Sequence, residues 1–135
     1  TVPRTRLPEM LEYIEAVARQ YEVLVGNMFH AGDGNLHPII MFDPRDKEQA
    51  QRVRKAAQDI LSKCVEMGGA ITGEHGVGLE KRDLMPLTFS AHDLEMMWRL
   101  KSVFDPKGSF NPGKLLPAGE RGGELRVQVS TGGMM

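Results

Sequence analysis

The sequence predicts an α+β fold in which helices pack on one face of a small antiparallel sheet. Three observations predict it. Separate stretches carry apolar residues at the three-and-four spacing of amphipathic helices. Two short β-favouring segments flank a centre rich in turn-forming residues. The elements then run helix, strand, strand, helix, strand, helix, which suits a layered α+β domain.

The first helix begins at Leu7, where Leu7, Met10, Leu11, Ile14, Val17, Ala18 and Tyr21 recur on one face and Pro8 is tolerated in the first turn. Residues 23–29 and 36–42 read as strands. Gly32-Asp33-Gly34-Asn35 lies between them, so the pair reads as a hairpin that Asp43-Pro44 ends. A long helix over residues 46–67 places Ala50, Val53, Ala57, Ile60, Leu61 and Cys64 on one stripe. Its charges, among them Arg52, Arg54, Lys55 and Asp59, fall mostly off that stripe and form a solvated face. Gly68-Gly69 stops it, glycine being usual just past a helix C-terminus. Residues 70–72 are expected to form a short third strand leading into Gly73-Glu74-His75-Gly76. Ser90 with Asp93 resembles a capping box. The helix it opens carries Leu94, Met97, Trp98, Leu100 and Phe104 as a core stripe and stops at Asp105-Pro106. Asn111-Pro112-Gly113-Lys114 is a tight turn. Past Pro117 the composition becomes Gly-rich and polar, dividing the chain into residues 1–117 and a tail, 118–135, with an edge strand expected over residues 125–129.

Composition excludes several classes. Apolar residues make up 41% and charged residues 26% of the 135, ordinary for a globular domain. A net charge of −1 gives no electrostatic reason to expect a nucleic-acid or anionic-membrane partner. No apolar run approaches the roughly 18 residues that cross a bilayer. The single cysteine, Cys64, excludes a disulfide framework, suits a reducing compartment and is expected to be a small buried hydrophobe. The length fits one domain and is short for a complete cofactor enzyme, so the chain is expected to be part of something longer.

The chemistry concentrates in two segments. In His30-Ala31-Gly32-Asp33-Gly34-Asn35-Leu36-His37, an Asp33-Gly34 centre would form a two-residue hairpin turn and set His30 opposite His37. Opposed residues have Cβ atoms about 4.5–5.5 Å apart, close enough for both imidazoles to hold one metal ion. Asp33 is expected to be a turn residue accepting backbone N–H groups, and His92 an exposed residue at a helix start. In Gly73-Glu74-His75-Gly76, adjacent side chains of an extended segment would point to opposite sides. Glu74 would then join His30 and His37 as a two-histidine, one-carboxylate set suited to zinc, manganese or iron. His75 would be left as a general base near neutral pH. Two other readings stay open on these residues. One is a metal-dependent hydrolase with Glu80 or His75 as base; the other is a non-catalytic α+β binding module.

Three blocks together resemble the C-terminal domain of the FAD-linked oxidases of the glycolate oxidase, D-lactate dehydrogenase and D-2-hydroxyglutarate dehydrogenase type. They are His30-Ala-Gly-Asp-Gly-Asn-Leu-His37, Gly73-Glu-His-Gly-Val-Gly-Leu-Glu-Lys-Arg-Asp83 and Phe104-Asp-Pro-Lys-Gly-Ser-Phe-Asn-Pro-Gly-Lys-Leu-Leu-Pro117. The resemblance implies a ferredoxin-like cap that oxidises a small 2-hydroxy acid to a 2-oxo acid. It implies His30, His37 and Glu74 as divalent-metal ligands, His75 as the base that takes the hydroxyl proton while hydride passes to flavin, and Asn111 near the flavin. It also implies that FAD is bound mainly by an upstream domain of the same polypeptide, allows redox partner subunits or a homodimer, and suits a cytoplasmic location. Ile39 stands where some dicarboxylate-oxidising relatives place a substrate-contacting asparagine, which favours glycolate or D-lactate.

Overall fold

The structure, a computed structural model, describes residues 1–117; the edge strand expected over residues 125–129 lies outside them. In chain order come α1 (Leu7–Gln20), β1 (Leu24–His30), β2 (Asn35–Met41), α2 (Lys47–Glu66) and α3 (Ala91–Phe104), with a 3-10 helix, Arg82–Leu87, ahead of α3. The antiparallel pair β1–β2 is the sheet. This is the small α+β arrangement the periodicities predict.

Local chemistry sets the ends of the helices. The Asp46 carboxylate accepts the N–H groups of Glu48 and Gln49 and caps α2. At the other end Gly68 N–H bonds the Val65 carbonyl and Gly69 N–H the Cys64 carbonyl, the paired bonds of a glycine-terminated helix. Ser90 and Asp93 form a reciprocal capping box at the start of α3.

Two apolar clusters flank α2. In the first, Met10, Ile14 and Val17 of α1 pack against Ala56, Ile60 and Cys64 of α2. Burying an aliphatic side chain of this size contributes about 1.5–3 kcal/mol. Val25, Leu36 and Ile40 seal this cluster from one face of the sheet. Strand alternation turns His30, His37, Leu24, Met28, Ile39 and Met41 to the other face, and those four aliphatic side chains are exposed. The second cluster, around Ile71, Met85 and Leu116, joins Leu61 and Val65 of α2 to Leu94, Met97 and Trp98 of α3. Because α2 is covered on two sides, its most buried alanine is Ala56, while the expected Ala50 and Ala57 are half-buried.

Two expectations fail. The α3 stripe is only partly core: Leu94, Met97 and Trp98 pack, but Leu100 and Phe104 are 62% and 75% exposed. The helix meets the second cluster along its first turns, where the Trp98 indole N–H donates to the Pro117 carbonyl, and its later turns run past it. The third strand over residues 70–72 is absent, because the chain bends there between Gly69 and Gly73. Its hydrogen bonds go to the N-terminal residues instead. Thr1 N donates to the Ala70 carbonyl (2.9 Å) and Ala70 N–H to the Thr1 carbonyl (3.1 Å). One residue on, Val2 N–H donates to the carbonyl of Gly34 in the hairpin loop (2.9 Å).

Thr1 and Val2 thus tie the hairpin loop to the segment after α2, and Gly34 makes the approach possible. Its φ is +67°, and a Cβ there would stand 2.0 Å from the Val2 carbonyl oxygen. Gly34→Ala is therefore expected to cost about 1–3 kcal/mol. Gly26→Ala, with nothing within 4 Å of its Cβ, should stay within about 0.5 kcal/mol of the parent. Denaturant melts of both variants check this, and equal midpoints would contradict the close approach.

Candidate active site

The hairpin register differs from the expected one. His30 pairs with Asn35, and His37 pairs with Met28, so the connection is four residues, 31–34, rather than two. A turn closed by Asp33 N–H on the His30 carbonyl fills it, with Gly34 left-handed at its end. Asp33 acts here through its backbone; among the described residues its side chain accepts no hydrogen bond. The register is displaced by two residues, an even number, so the histidines keep the same face as diagonal neighbours. Their ring centroids lie 5.3 Å apart, edge to face.

Glu74 reaches these rings because Gly73 lets its backbone press on the hairpin. A Cβ at Gly73 would meet the Asn35 side-chain oxygen at 2.5 Å, and Asn35 is buried. The Thr72 hydroxyl donates to the Gly76 carbonyl (3.0 Å) and closes the bend between them. Within the bend Glu74 and His75 do not diverge as extended neighbours would. Glu74 Oε1 lies 3.2 Å from His37 Nε2, 3.6 Å from His75 Nε2 and 3.8 Å from His30 Nε2. The His75 ring centroid is 4.9 Å from that of His37.

His30, His37 and Glu74 each offer a ligand atom, and these atoms lie within 4.8 Å of one another. Two imidazole nitrogens and one carboxylate oxygen fit a borderline divalent cation such as zinc, manganese or iron. The His30 and Glu74 side chains are more than half exposed, leaving room for further ligands on the open side. His75 stands beside this set and outside it, available for proton transfer.

A cavity of about 690 Å³ opens alongside. His37, Glu74 and His75 line it with Ile39 of β2 and Ala57, Ile60 and Leu61 of α2. Cys64 also borders it; burial pushes that thiol above its ordinary value, as fits an inert small hydrophobe. Lys81 and Lys114 are also in the lining, with Glu80, and neither lysine was singled out from the sequence, although both stand inside the quoted blocks. Asn111 does not border the cavity; it sits in the turn that delivers Lys114, its φ at +47°. His92 is exposed at the start of α3, as expected.

That turn is held from both sides. Leu115 N–H donates to the Gly78 carbonyl (3.0 Å), and the Arg82 guanidinium donates to the Gly113 carbonyl. Upstream, the buried Asp105 carboxylate accepts the N–H groups of Ser109 (2.7 Å) and Phe110 (3.0 Å) and the Lys101 ammonium (2.7 Å).

The family profile described as FAD linked oxidases, C-terminal domain, matches residues 1–115. The chain is similar to glycolate oxidase subunit GlcD of Escherichia coli strain K12, 44% identical over 93% of this chain and 25% of that protein. It is 41% identical to glycolate oxidase subunit GlcD of Bacillus subtilis over 85% of this chain and 24% of the relative. A probable mitochondrial D-lactate dehydrogenase of Danio rerio is 36% identical over 85% of this chain and 23% of its own. The chain therefore spans about a quarter of the length of the curated relatives it matches. Among the described residues no helix is long and apolar enough to cross a membrane.

The Asp105 cluster yields a pH prediction. The Lys101 ammonium and the two amides hold the Asp105 carboxyl below the usual aspartate range, outweighing desolvation. A lowered folded-state pKa means that the stabilisation is complete above the ordinary value of about 3.9. It is lost as pH falls through the lower folded value. The amide resonances of Ser109 and Phe110 should hold their positions down to about pH 4 and shift only below it. A transition centred above that value would contradict the anchoring role of Asp105.

Proposed function

The chain belongs to the family of FAD linked oxidases, C-terminal domain, and from that premise we propose that it is the substrate- and metal-binding part of an FAD-dependent 2-hydroxy-acid oxidoreductase. The proposed reaction converts glycolate or D-lactate to the corresponding 2-oxo acid. The observation that carries this reading is the convergence of His30, His37 and Glu74 within 4.8 Å, with a further imidazole beside them. The relatives named as glycolate oxidase subunits and a D-lactate dehydrogenase support the substrate class.

In this reading His30, His37 and Glu74 would hold a divalent cation, which would supply a Lewis acid for the substrate hydroxyl. FAD supplies the two-electron acceptor for the hydrogen on the carbon bearing that hydroxyl. The remaining work falls to this chain. His75 Nε2 takes the hydroxyl proton, so that one proton and one hydride leave the alcohol and the carbonyl of the 2-oxo acid remains. Glu74, between His75 and His37, keeps a negative charge beside the imidazole as it becomes cationic. Apolar walls from α2 and β2 keep bulk water from one side of the cavity.

The flavin-carrying part of the same polypeptide covers the sheet face that bears His30 and His37. That face leaves Leu24, Met28, Ile39 and Met41 exposed, and the relatives have about three-quarters of their length beyond this chain. No role in binding nucleic acid belongs to the proposal.

The test uses the full-length, FAD-loaded protein. His75→Ala should lower kcat for glycolate or D-lactate by about 10²–10⁴-fold. A chelator should abolish turnover and zinc or manganese restore it, while Glu74→Gln should weaken metal retention by at least about tenfold. Undiminished hydroxy-acid oxidation by the His75 variant would remove the proposed base. Undiminished oxidation after chelation would remove the metal.

A further inference from the structure

We propose that Lys81 and Lys114 form a cationic cradle for the carboxylate of a small organic acid in the cavity beside His37, Glu74 and His75. This deepens the functional reading above and rests on it for the identity of the acid.

Two lysines from distant parts of the chain line one cavity with the imidazole and carboxylate cluster. Two other lysines have carboxylate partners, Lys63 with Glu66 and Lys101 with Asp105. Neither Lys81 nor Lys114 has a carboxylate within ion-pair distance among the described residues. Lys81 is half-buried, and removing an ammonium from water without a counter-charge is costly, a cost that an arriving carboxylate relieves.

The position of Lys114 is built at some expense. Asn111 and Leu115 adopt φ of +47° and +76°, left-handed values that cost a non-glycine residue energy and persist only where surrounding contacts enforce them. The enforcing contacts are the Leu115 bond to Gly78 and the Arg82 bond to Gly113. They hold the lysine against the loop that begins with Glu74 and His75. The lining carries two ammonium groups and two carboxylates, Glu74 and Glu80. With Glu74 committed to a divalent cation, as proposed above, the ammonium groups outnumber the remaining carboxylate and the balance favours an anion. A volume of about 690 Å³ falls within the range of small-molecule sites.

The cradle is tested by equilibrium binding, which needs no turnover. Isothermal titration of the full-length holoprotein with oxalate, and with the neutral oxamide, should show a preference for the anion. Lys81→Met and Lys114→Met should each raise the oxalate Kd by about tenfold or more, leave oxamide unchanged and lose little when arginine is placed instead. An unchanged oxalate-to-oxamide ratio in the double methionine variant, or in the single variants where the double does not keep the parent melting temperature, overturns the cradle. If the unaltered protein oxidises no 2-hydroxy acid while oxalate affinity still depends on the lysines, the cradle stands and the functional reading falls. If His75→Ala abolishes oxidation but the methionine variants bind oxalate like the parent, the reverse holds.

Discussion

Three backbone hydrogen bonds from Thr1 and Val2 and their partner Ala70 hold the two halves of the site together. The histidines stand on a hairpin whose ladder is complete in itself, and Glu74 stands on an irregular loop after α2. Nothing in the hairpin calls for the loop. The carbonyls of buried Gly34 and half-buried Ala70 both accept from the N-terminal residues, which satisfies groups that would otherwise lack a partner. This puts Gly73 against the Asn35 side chain and brings Glu74 within 3.2 Å of His37. Small side chains matter most where these backbones meet, since an added methyl has no room to move aside.

This arrangement also explains why the donors are on the open side of the domain. One face of β1–β2 is committed to the α1–α2 cluster, and alternation leaves His30 and His37 no choice but the other. Ligands on an open face keep part of a cation's coordination sphere free for a reactant, as catalytic sites require and closed structural sites do not. The turn bearing Lys114 docks on the segment following His75, so the proposed metal ligands, the proposed proton acceptor and the two lysines belong to one connected framework.

Much of this was legible in the sequence, for physical reasons. Leu7 to Val17 and the α2 stripe carry strong helical periodicity because one side of each helix is buried. Ser90-Asp93 and Gly68-Gly69 mark their helix ends through short-range hydrogen bonds that local sequence determines. Asp33-Gly34 correctly signalled a hairpin but not its loop length. The His30–His37 relation survived that error because sheet faces repeat every second residue. The absent third strand was illegible, since whether residues 70–72 join a ladder depends on Thr1, nearly seventy positions away. The exposure of Leu100 and Phe104 was likewise hidden, because periodicity shows that a stripe exists and not how far its cover extends. Lys81 and Lys114 escaped notice because an isolated lysine has no spacing signature; only the folded cavity brings them together.

The central claim is that one divalent cation is held by two imidazoles from the hairpin and the carboxylate from the loop. Anomalous diffraction from crystals of the full-length protein, grown with zinc and recorded on both sides of the zinc absorption edge, measures this directly. The account predicts a single strong peak within about 2.0–2.2 Å of His30, His37 and Glu74 donor atoms, with the His75 ring beside it and unligated. A peak elsewhere, or one at these residues that excludes Glu74, would contradict it.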